Sequence, residues 1–302
     1  MSIFTKPVLA LLPHIPKPIM RRLAARYIAG EELGEAIARL KELAGRGHPG
    51  ILDVLGENVR DEAEARSVAQ TYMQAADVLA GERLDCYVSV KPTHVGLTMD
   101  PELCFELYAL IAAHVARNRI ELRVEMEDAP TTDGTLAVFE RLRKAHANVG
   151  IVLQSRLFRT LEDIDRLAPG PLSVRMVKGI YLEPATIAHT EAEPIRKAYV
   201  ECVEKLARRR ARLSLATHDE GLAERCLEVL RRHDYRREEY EFQLLLGVRE
   251  ELWKRWREAG HCVRIYVPYG PEWKPYSIRR MRKNPQILGH VMRAAFRPTP
   301  RS

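Results

Sequence analysis

The feature that most constrains the fold of this 302-residue chain is an eightfold alternation between short apolar runs and longer amphipathic segments. Each apolar run is rich in β-favouring residues and predicts a strand, and each amphipathic segment predicts a helix. The predicted strands cover residues 51–55, 86–90, 121–126, 149–153, 172–177, 213–216, 240–245 and 263–267. Eight such units over roughly 250 residues are typical of a (βα)8 barrel, whose parallel strands are buried on both faces.

A doubly wound open sheet is the main competing architecture, because it also alternates strands and helices. Gly45, Gly47 and Gly50 fit the GxGxxG dinucleotide-binding pattern. This stretch follows a predicted helix and precedes a predicted strand, whereas the dinucleotide fingerprint has the opposite order. We therefore interpret it as a loop. Eight repeats without a nucleotide fingerprint favour an α/β protein with a TIM-like barrel.

The chain divides at about residue 50. Residues 1–50 predict a helical segment, with one helix from Pro18 to about Ile28 and a second over residues 31–44. Residues 51–302 predict the barrel, ending in a helix that begins at Pro275, where the missing N–H of proline leaves no hydrogen bond unmade.

Polar or ionisable side chains follow most of the predicted strands. The carboxyl ends of parallel barrel strands meet at one face, where enzymes of this fold have their active sites. The residues at these ends are Lys91, Asp128, Gln154, Lys178, Thr217, His218 and Tyr266. Because a purely structural barrel would have turn-forming residues there, the six strand ends predict a functional site.

Arg175 lies inside the apolar run 172–177, where an unpaired guanidinium would be costly to bury. The expected partner is an acidic side chain on a neighbouring strand, either Glu125 or Asp128. Such an ion pair is compatible with a structural role and with a functional one.

The last predicted helix has Tyr276, Arg279 and Arg280 at three- and four-residue spacing, so these side chains share one face. Paired arginines beside a tyrosine suit a small carboxylate, because guanidinium groups bind carboxylates through two parallel hydrogen bonds. Arg282 and Lys283 follow directly, so the alternative is a basic surface helix. These residues alone favour the surface helix, whereas the ring of polar strand ends favours the carboxylate site.

Composition and missing motifs exclude several functional classes. The net charge of +7 is dispersed and lacks interleaved aromatic residues, which argues against nucleic-acid binding. Five cysteines without a CxxC pair indicate a reduced, cytoplasmic protein. No run is long enough for a transmembrane helix, so we expect at most a peripheral contact with the inner membrane. No HxH or HExxH spacing occurs, and we predict no metal site.

Nine short segments between about residues 51 and 285 carry a family resemblance. They are DVLGE at Asp53, VSVKP at Val88, VEMED at Val124, IVLQ at Ile151, VRMVKGIY at Val174, ATHD at Ala216, EFQLLLG at Glu241, RIYVPYG at Arg264 and YSIRR at Tyr276. Nine motifs in this order are specific, although each alone is modest. The chain resembles proline dehydrogenase, in particular the small monofunctional bacterial enzymes whose catalytic domain also occurs in bifunctional proline utilisation A.

The resemblance implies a distorted barrel with the last helix across its mouth. Residues 51–302 would form the catalytic domain and bind FAD non-covalently at the strand ends. The implied reaction is oxidation of L-proline to Δ1-pyrroline-5-carboxylate, with a quinone as the electron acceptor. We expect no aldehyde dehydrogenase domain after the arginine helix, and a separate pyrroline-5-carboxylate dehydrogenase as the next enzyme.

The resemblance also implies roles for individual residues. The implied substrate contacts are Lys91, Tyr266, Tyr276, Arg279 and Arg280. Asp128 would hold the substrate-binding network in place, and Arg175 would lie beside flavin N5, so both are implied catalytic positions. The implied cofactor contacts are Ala129, Gln154, Arg175, Val177, Lys178, Gly179, Thr217 and His218.

Two functions of other classes stay open from the residues alone. A non-flavin barrel lyase or aldolase would use Lys91 or Lys178 as a Schiff-base nucleophile. A non-catalytic protein would bind nucleic acid through basic residues such as the arginine run at 208–212, although cations also suit a helix end. We rank both below the flavoenzyme.

Overall fold

The structure, a computed structural model, describes residues 20–21 and 24–283, with side chains as far as residue 278. Eight parallel strands close into a barrel in chain order, and the eighth strand pairs with the first. The strands are β1 Gly50–Val54, β2 Cys86–Val90, β3 Leu122–Val124, β4 Val149–Gln154, β5 Ser173–Val177, β6 Arg212–Ala216, β7 Tyr240–Leu245 and β8 Val263–Tyr269. The closed sheet confirms the predicted (βα)8 class and excludes the open doubly wound sheet.

The helices surround this barrel. They are α1 Leu33–Gly45, α2 Glu62–Gly81, α3 Pro101–Arg117, α4 Thr132–Leu142, α5 Thr160–Arg166, α6 Ala192–Arg208, α7 Glu220–Arg232, α8 Glu250–Glu258 and α9 Trp273–Lys283. Helix α1 precedes the barrel, and one helix from α2 to α9 follows each strand. Asp61, Asp100 and Asp219 cap α2, α3 and α7, because each carboxylate accepts a hydrogen bond from a free N–H of the first turn.

Several predicted boundaries differ from the structure by one or more residues, and two of the differences involve prolines. β8 continues through Pro268 to Tyr269, although Pro268 was expected to stop the strand. Proline lacks an N–H, but its carbonyl accepts a hydrogen bond from Ala29 (2.9 Å), and the pairing with β1 extends past it. Helix α9 begins at Trp273 rather than Pro275, so that proline lies within the first turn, where its missing N–H is tolerated.

The amino-terminal part of the chain packs against the barrel at two places. Ile37, Leu40 and Leu43 of α1 belong to the main core, together with the strands and surrounding helices. A second cluster brings Met20 and other residues of the segment 20–28 against Leu55 and Trp273. Because Leu55 follows β1, this cluster holds α9 at the carboxyl end of the barrel. The predicted division at residue 50 and the full extent of the helix from Pro18 stay predictions, since residues 1–19 lie outside the described part.

A helix that crosses a bilayer needs about 20 consecutive, mostly apolar residues. None of the helices within residues 20–21 and 24–283 is long and apolar enough to cross a membrane.

Candidate active site

The barrel interior contains charged and polar side chains instead of the branched aliphatic layers that are usual in this fold. Hydrogen bonds join strands that are not neighbours in the sheet, so these side chains meet inside the barrel. The buried polar members are Asp53, Tyr87, Ser89, Arg123, Arg175, Ser214, Glu241, Gln243 and Arg264. Charges at this depth are tolerated only when they are paired and hydrogen-bonded.

Arg175 on β5 is the centre of this network and is 3% exposed. Its Nε donates to Gln243 Oε1 on β7 (2.6 Å), and its Nη1 donates to Glu125 Oε1 (2.5 Å). Its Nη2 donates to the hydroxyls of Tyr87 and Ser89 on β2, each at 3.2 Å. Burial works against the charge of Arg175, but Glu125, Tyr87 and Tyr266 together raise its pKa. The guanidinium is therefore charged and fixed in orientation.

The carboxylate that balances Arg175 is Glu125, the first of the two partners expected from the sequence. Ser89 also donates to Glu125 Oε1 (2.5 Å). Burial is the largest effect and disfavours the Glu125 carboxylate, but Arg175, Lys91 and Ser89 together lower the pKa of Glu125. Asp128 lies in the following loop, where its side chain accepts a hydrogen bond from Thr131 Oγ1 (3.1 Å).

Lys91 lies at the end of β2 and pairs with a buried carboxylate on β1. Its Nζ donates to Asp53 Oδ1 (2.8 Å) and Oδ2 (3.1 Å), and Asp53 is 1% exposed. Burial alone would lower the pKa of Lys91, but the Asp53 charge raises it above the ordinary value. Lys91 is therefore an ammonium group at the carboxyl end of the barrel, suited to an anionic ligand.

Tyr266 on β8 connects to the same cluster. Its hydroxyl donates to Glu125 Oε1 (3.2 Å), and the guanidinium carbon of Arg175 lies 5.3 Å from its ring centre. Tyr276 on α9 is half-buried and packs against the second core cluster. The side chains of Arg279 and Arg280 lie outside the described residues, so their part in a carboxylate clamp stays a prediction.

Gln154 and Gly179, at the ends of β4 and β5, lie against each other. Gly179 has a φ of +95°, and a Cβ atom there would lie 2.6 Å from Gln154 Oε1. Gln154 is buried, and its Nε2 donates to the Glu127 carbonyl, so it is not free to move aside. Glycine is therefore required at this point, because Gln154 fills the space that a Cβ would occupy.

Replacing Gly179 with alanine is expected to lower the free energy of unfolding by about 1–3 kcal/mol, because both the positive φ and the Gln154 contact oppose a Cβ. Urea unfolding measures the change. The control is Gly34→Ala in α1, where a Cβ would meet nothing within 4 Å. In a helix that change should be neutral or stabilise by up to about 1 kcal/mol. Equal effects of the two substitutions would contradict the close contact.

The ends of β5 and β6 are joined through Asp219. Lys178 Nζ donates to Asp219 Oδ2 (2.8 Å), and the Asp219 N–H donates to Thr217 Oγ1 (3.1 Å). Burial acts against the charge of Asp219, but Lys178 and Arg196 together hold its pKa well below the ordinary value. His218 Nε2 accepts a hydrogen bond from the Leu245 N–H (3.1 Å), so β6 is also tied to β7.

Two further predicted cofactor contacts lie next to these residues. Val177 is the last residue of β5 and pairs with Gln154 and Ala216. The Ala129 N–H, after β3, donates to Glu183 Oε1 (2.9 Å) in the loop that follows β5. The structure therefore places the predicted cofactor residues other than Arg175 at the ends of β3 to β6, and Lys91 at the end of β2. Tyr266, predicted at a strand end, lies in the middle of β8, because that strand continues to Tyr269.

Sequence reasoning missed several members of the interior network. Asp53, Tyr87, Ser89 and Gln243 were not among the predicted site residues, although they contact Lys91 or Arg175 directly. The signal that singled out Arg175, an ionisable residue inside an apolar strand, applies equally to Asp53. Tyr87, Ser89 and Gln243 are common enough in strands to give no comparable signal.

Glu127, after β3, is 4% exposed, and burial raises its pKa to about 7. Lys91 and Glu57 are the nearby charged groups. Between the ordinary glutamate pKa of about 4.3 and this value, the folded protein keeps a proton that the unfolded chain has lost. Stability is therefore expected to fall as pH rises through this window. Urea unfolding should show that Glu127→Gln lacks this fall, and an identical pH dependence would contradict it.

The closed barrel, its charged interior and the cations at the carboxyl ends of its strands define an α/β-barrel protein of the kind that has an active site at this face. The proline dehydrogenase family model matches residues 36–293. The chain belongs to the proline dehydrogenase family, which confirms the family predicted from the sequence.

Individual relatives agree with this membership. The proline dehydrogenase of Deinococcus radiodurans is 32% identical over 286 residues, covering 92% of this chain and 91% of that protein. Proline dehydrogenase 2 of Bacillus subtilis is 30% identical over 273 residues, 90% of each chain. The crystal structure of proline utilization A from Bdellovibrio bacteriovorus matches 89% of this chain with a TM-score of 0.80 at 23% identity. This chain spans 33% of that longer protein, and the likeness to it shows the barrel fold.

Proposed function

We propose that this proline dehydrogenase binds FAD non-covalently, oxidises L-proline to Δ1-pyrroline-5-carboxylate and passes the electrons to a quinone. The observation that carries the proposal is the presence of two fixed cations in one barrel, with Lys91 at its carboxyl end and Arg175 in its interior, where Arg175 shares Glu125 with Tyr266. Family membership supports the same substrate, since the relatives from Deinococcus radiodurans and Bacillus subtilis are named proline dehydrogenases.

The residues at the ends of β4 to β6 fit a flavin nucleotide. Gln154 offers a side-chain amide, Lys178 a cation and Thr217 a hydroxyl. Gly179, which has no Cβ, lets the Gln154 side chain lie directly against the end of β5. FAD, when bound, accepts the two electrons that leave the substrate.

The chain itself supplies binding, orientation and charge. Lys91 attracts the proline carboxylate, and Arg279 and Arg280 complete the proposed clamp from α9. Tyr266 and Tyr276 would cover the ring and exclude water. Arg175 supplies a fixed positive charge close to the reacting carbon, which favours negative charge developing on its acceptor.

The Schiff-base alternative has little support. A nucleophilic lysine must lose its proton, but Asp53 raises the pKa of Lys91, and Lys178 is engaged with Asp219. A nucleic-acid role is also disfavoured. Arg209 donates to the carbonyls of Leu167 and Ala168 at the end of α5, so at least part of the arginine run links structural elements.

Partners and location follow from the proposed chemistry. We expect the protein to act in the cytoplasm. Because the proposed quinone acceptor is lipid-soluble, we also expect at most a peripheral contact with the inner membrane, where the quinone would be reduced. The product would pass to a separate pyrroline-5-carboxylate dehydrogenase. Residues 51–302 are the proposed catalytic domain, with residues 1–50 as an accessory segment.

The proposal is tested by mixing the FAD-loaded protein with L-proline and a water-soluble quinone. We expect proline-dependent quinone reduction and formation of Δ1-pyrroline-5-carboxylate, identified by mass spectrometry. In a parallel reaction, borohydride should trap no substrate on Lys91 or Lys178. Trapped lysine without quinone reduction would overturn the flavoenzyme in favour of the lyase or aldolase.

A further inference from the structure

Three loops at the carboxyl end of the barrel meet at one buried residue, Thr93. It lies in the short 3-10 helix Pro92–Val95, which follows β2, and is 3% exposed. Its N–H donates to Glu127 Oε2 (2.9 Å), and its hydroxyl donates to Glu127 Oε1 (2.7 Å). Both oxygens of the buried Glu127 carboxylate therefore accept hydrogen bonds from Thr93. These bonds join the end of β3 to the end of β2.

Thr93 also anchors the loop after β1. The Asn58 N–H donates to Thr93 Oγ1 (3.2 Å), and the Val59 N–H donates to the Thr93 carbonyl (3.3 Å). The hydroxyl consequently donates to Glu127 and accepts from Asn58 at the same time. A serine could make the same two hydrogen bonds, whereas a valine of the same shape could make neither.

Lys91 is directly connected to this arrangement. It is the N-cap residue of the 3-10 helix, and its carbonyl accepts a hydrogen bond from the His94 N–H (3.0 Å). The Lys91 backbone is therefore fixed on one side by the helix that Glu127 holds, while its ammonium is fixed on the other side by Asp53. The Glu127 carbonyl also accepts a hydrogen bond from Nε2 of Gln154, so Glu127 contacts one of the proposed cofactor residues as well.

We propose that Glu127 and Thr93 are a positioning pair, which sets the place of the Lys91 ammonium and thereby the affinity of the site for the substrate carboxylate. This inference rests on the proposed function, because it assigns Lys91 to the carboxylate. It goes beyond that function in naming two residues that act through Lys91 without touching substrate. A displaced charged group loses the geometry on which a charge-assisted hydrogen bond to a ligand depends.

The test uses the full-length, FAD-loaded protein and tetrahydrofuran-2-carboxylate, which keeps the ring and carboxylate of proline but has oxygen in place of nitrogen. Its Kd is measured by calorimetry for the wild type, Thr93→Val and Thr93→Ser. We expect Thr93→Val to bind about 10-fold more weakly, because a displaced Lys91 ammonium loses much of its charge-assisted hydrogen bond to the ligand carboxylate. Thr93→Ser should stay within about twofold of the wild type, because the hydroxyl is retained.

Steady-state kinetics gives a second readout. The KM for L-proline should rise with the Kd in Thr93→Val, while kcat changes by less than about threefold, because the reacting groups are untouched. An unchanged Kd in Thr93→Val, or equal weakening by valine and serine, would overturn the positioning role. If Thr93→Val does not fold, the Kd for tetrahydrofuran-2-carboxylate is measured for Glu127→Gln instead. Weaker binding would support the positioning pair, and unchanged binding would overturn it. A wild type that neither binds the carboxylate nor oxidises L-proline would instead overturn the proposed function.

Discussion

Replacing Arg175 with methionine is expected to lower the free energy of unfolding by about 3–5 kcal/mol, the range found when one partner of a buried ion pair is removed. Arg175 is 3% exposed, and the change would leave the Glu125 carboxylate without its principal cation. Gln243, Tyr87 and Ser89 would lose a donor in the same step. Urea unfolding of the purified variant measures the loss. Under the proposed function, flavin reduction by L-proline should also slow strongly.

The matched control for this change is Arg166→Met. Arg166 also pairs with a glutamate, Glu162, but the two side chains are 67% and 62% exposed. Surface pairs of this kind contribute less than about 1 kcal/mol, so the control should unfold almost as the wild type does. Adding Glu125→Gln to the Arg175 variant should recover part of the lost stability, because it removes the stranded charge. Similar small effects of Arg175→Met and Arg166→Met would contradict the buried network.

Lys91→Met is the second change with a large expected effect. Asp53 is 1% exposed and would be left as an unpaired buried carboxylate, so we expect a loss of about 3–5 kcal/mol in the free energy of unfolding. The proposed function adds a rise in the KM for L-proline, because the substrate carboxylate loses a cation. Both quantities are measured on the same preparation, by urea unfolding and by quinone reduction.

A double variant separates these two effects. Asp53→Asn combined with Lys91→Met removes both charges, so most of the stability should return while proline affinity stays low. Lys197→Met is the surface control, since Lys197 and its partner Glu201 are 74% and 47% exposed. If the double variant recovered proline affinity together with stability, Lys91 would have no direct part in substrate binding.

The order and type of the strands could be predicted because parallel barrel strands are buried on both faces and leave continuous apolar runs. The positions of Lys91, Gln154 and Lys178 at the strand ends followed from the same runs. The path of β8 through Pro268 could not be predicted, because it depends on a carbonyl that accepts from Ala29, far away in the sequence.

The partner of Arg175 shows a second limit. Glu125 and Asp128 are both acidic and both close to the end of β3, so sequence spacing could not choose between them. The choice depends on β3 ending at Val124, whereas the sequence predicted a strand to residue 126. Glu125 faces the interior next to Ser89, and Asp128 lies beyond the strand in the loop with Thr131.

The interior network is also a product of tertiary structure. Gln243 and Tyr87 contact Arg175 across the barrel, from strands that do not neighbour β5 in the sheet. Periodicity shows which strand residues share a face, but it does not show which of them meet across a closed barrel. Arg175 and Asp53 give a signal in the sequence, because an ionisable group inside an apolar run has to find partners.

The central claim is tested most directly by the visible absorption spectrum of the purified, FAD-loaded protein, recorded without oxygen before and after the addition of L-proline. We predict a yellow protein whose flavin band bleaches with L-proline and returns when a quinone is added. A colourless protein that cannot be reconstituted with FAD, or a flavin band that L-proline leaves unchanged, would contradict the account.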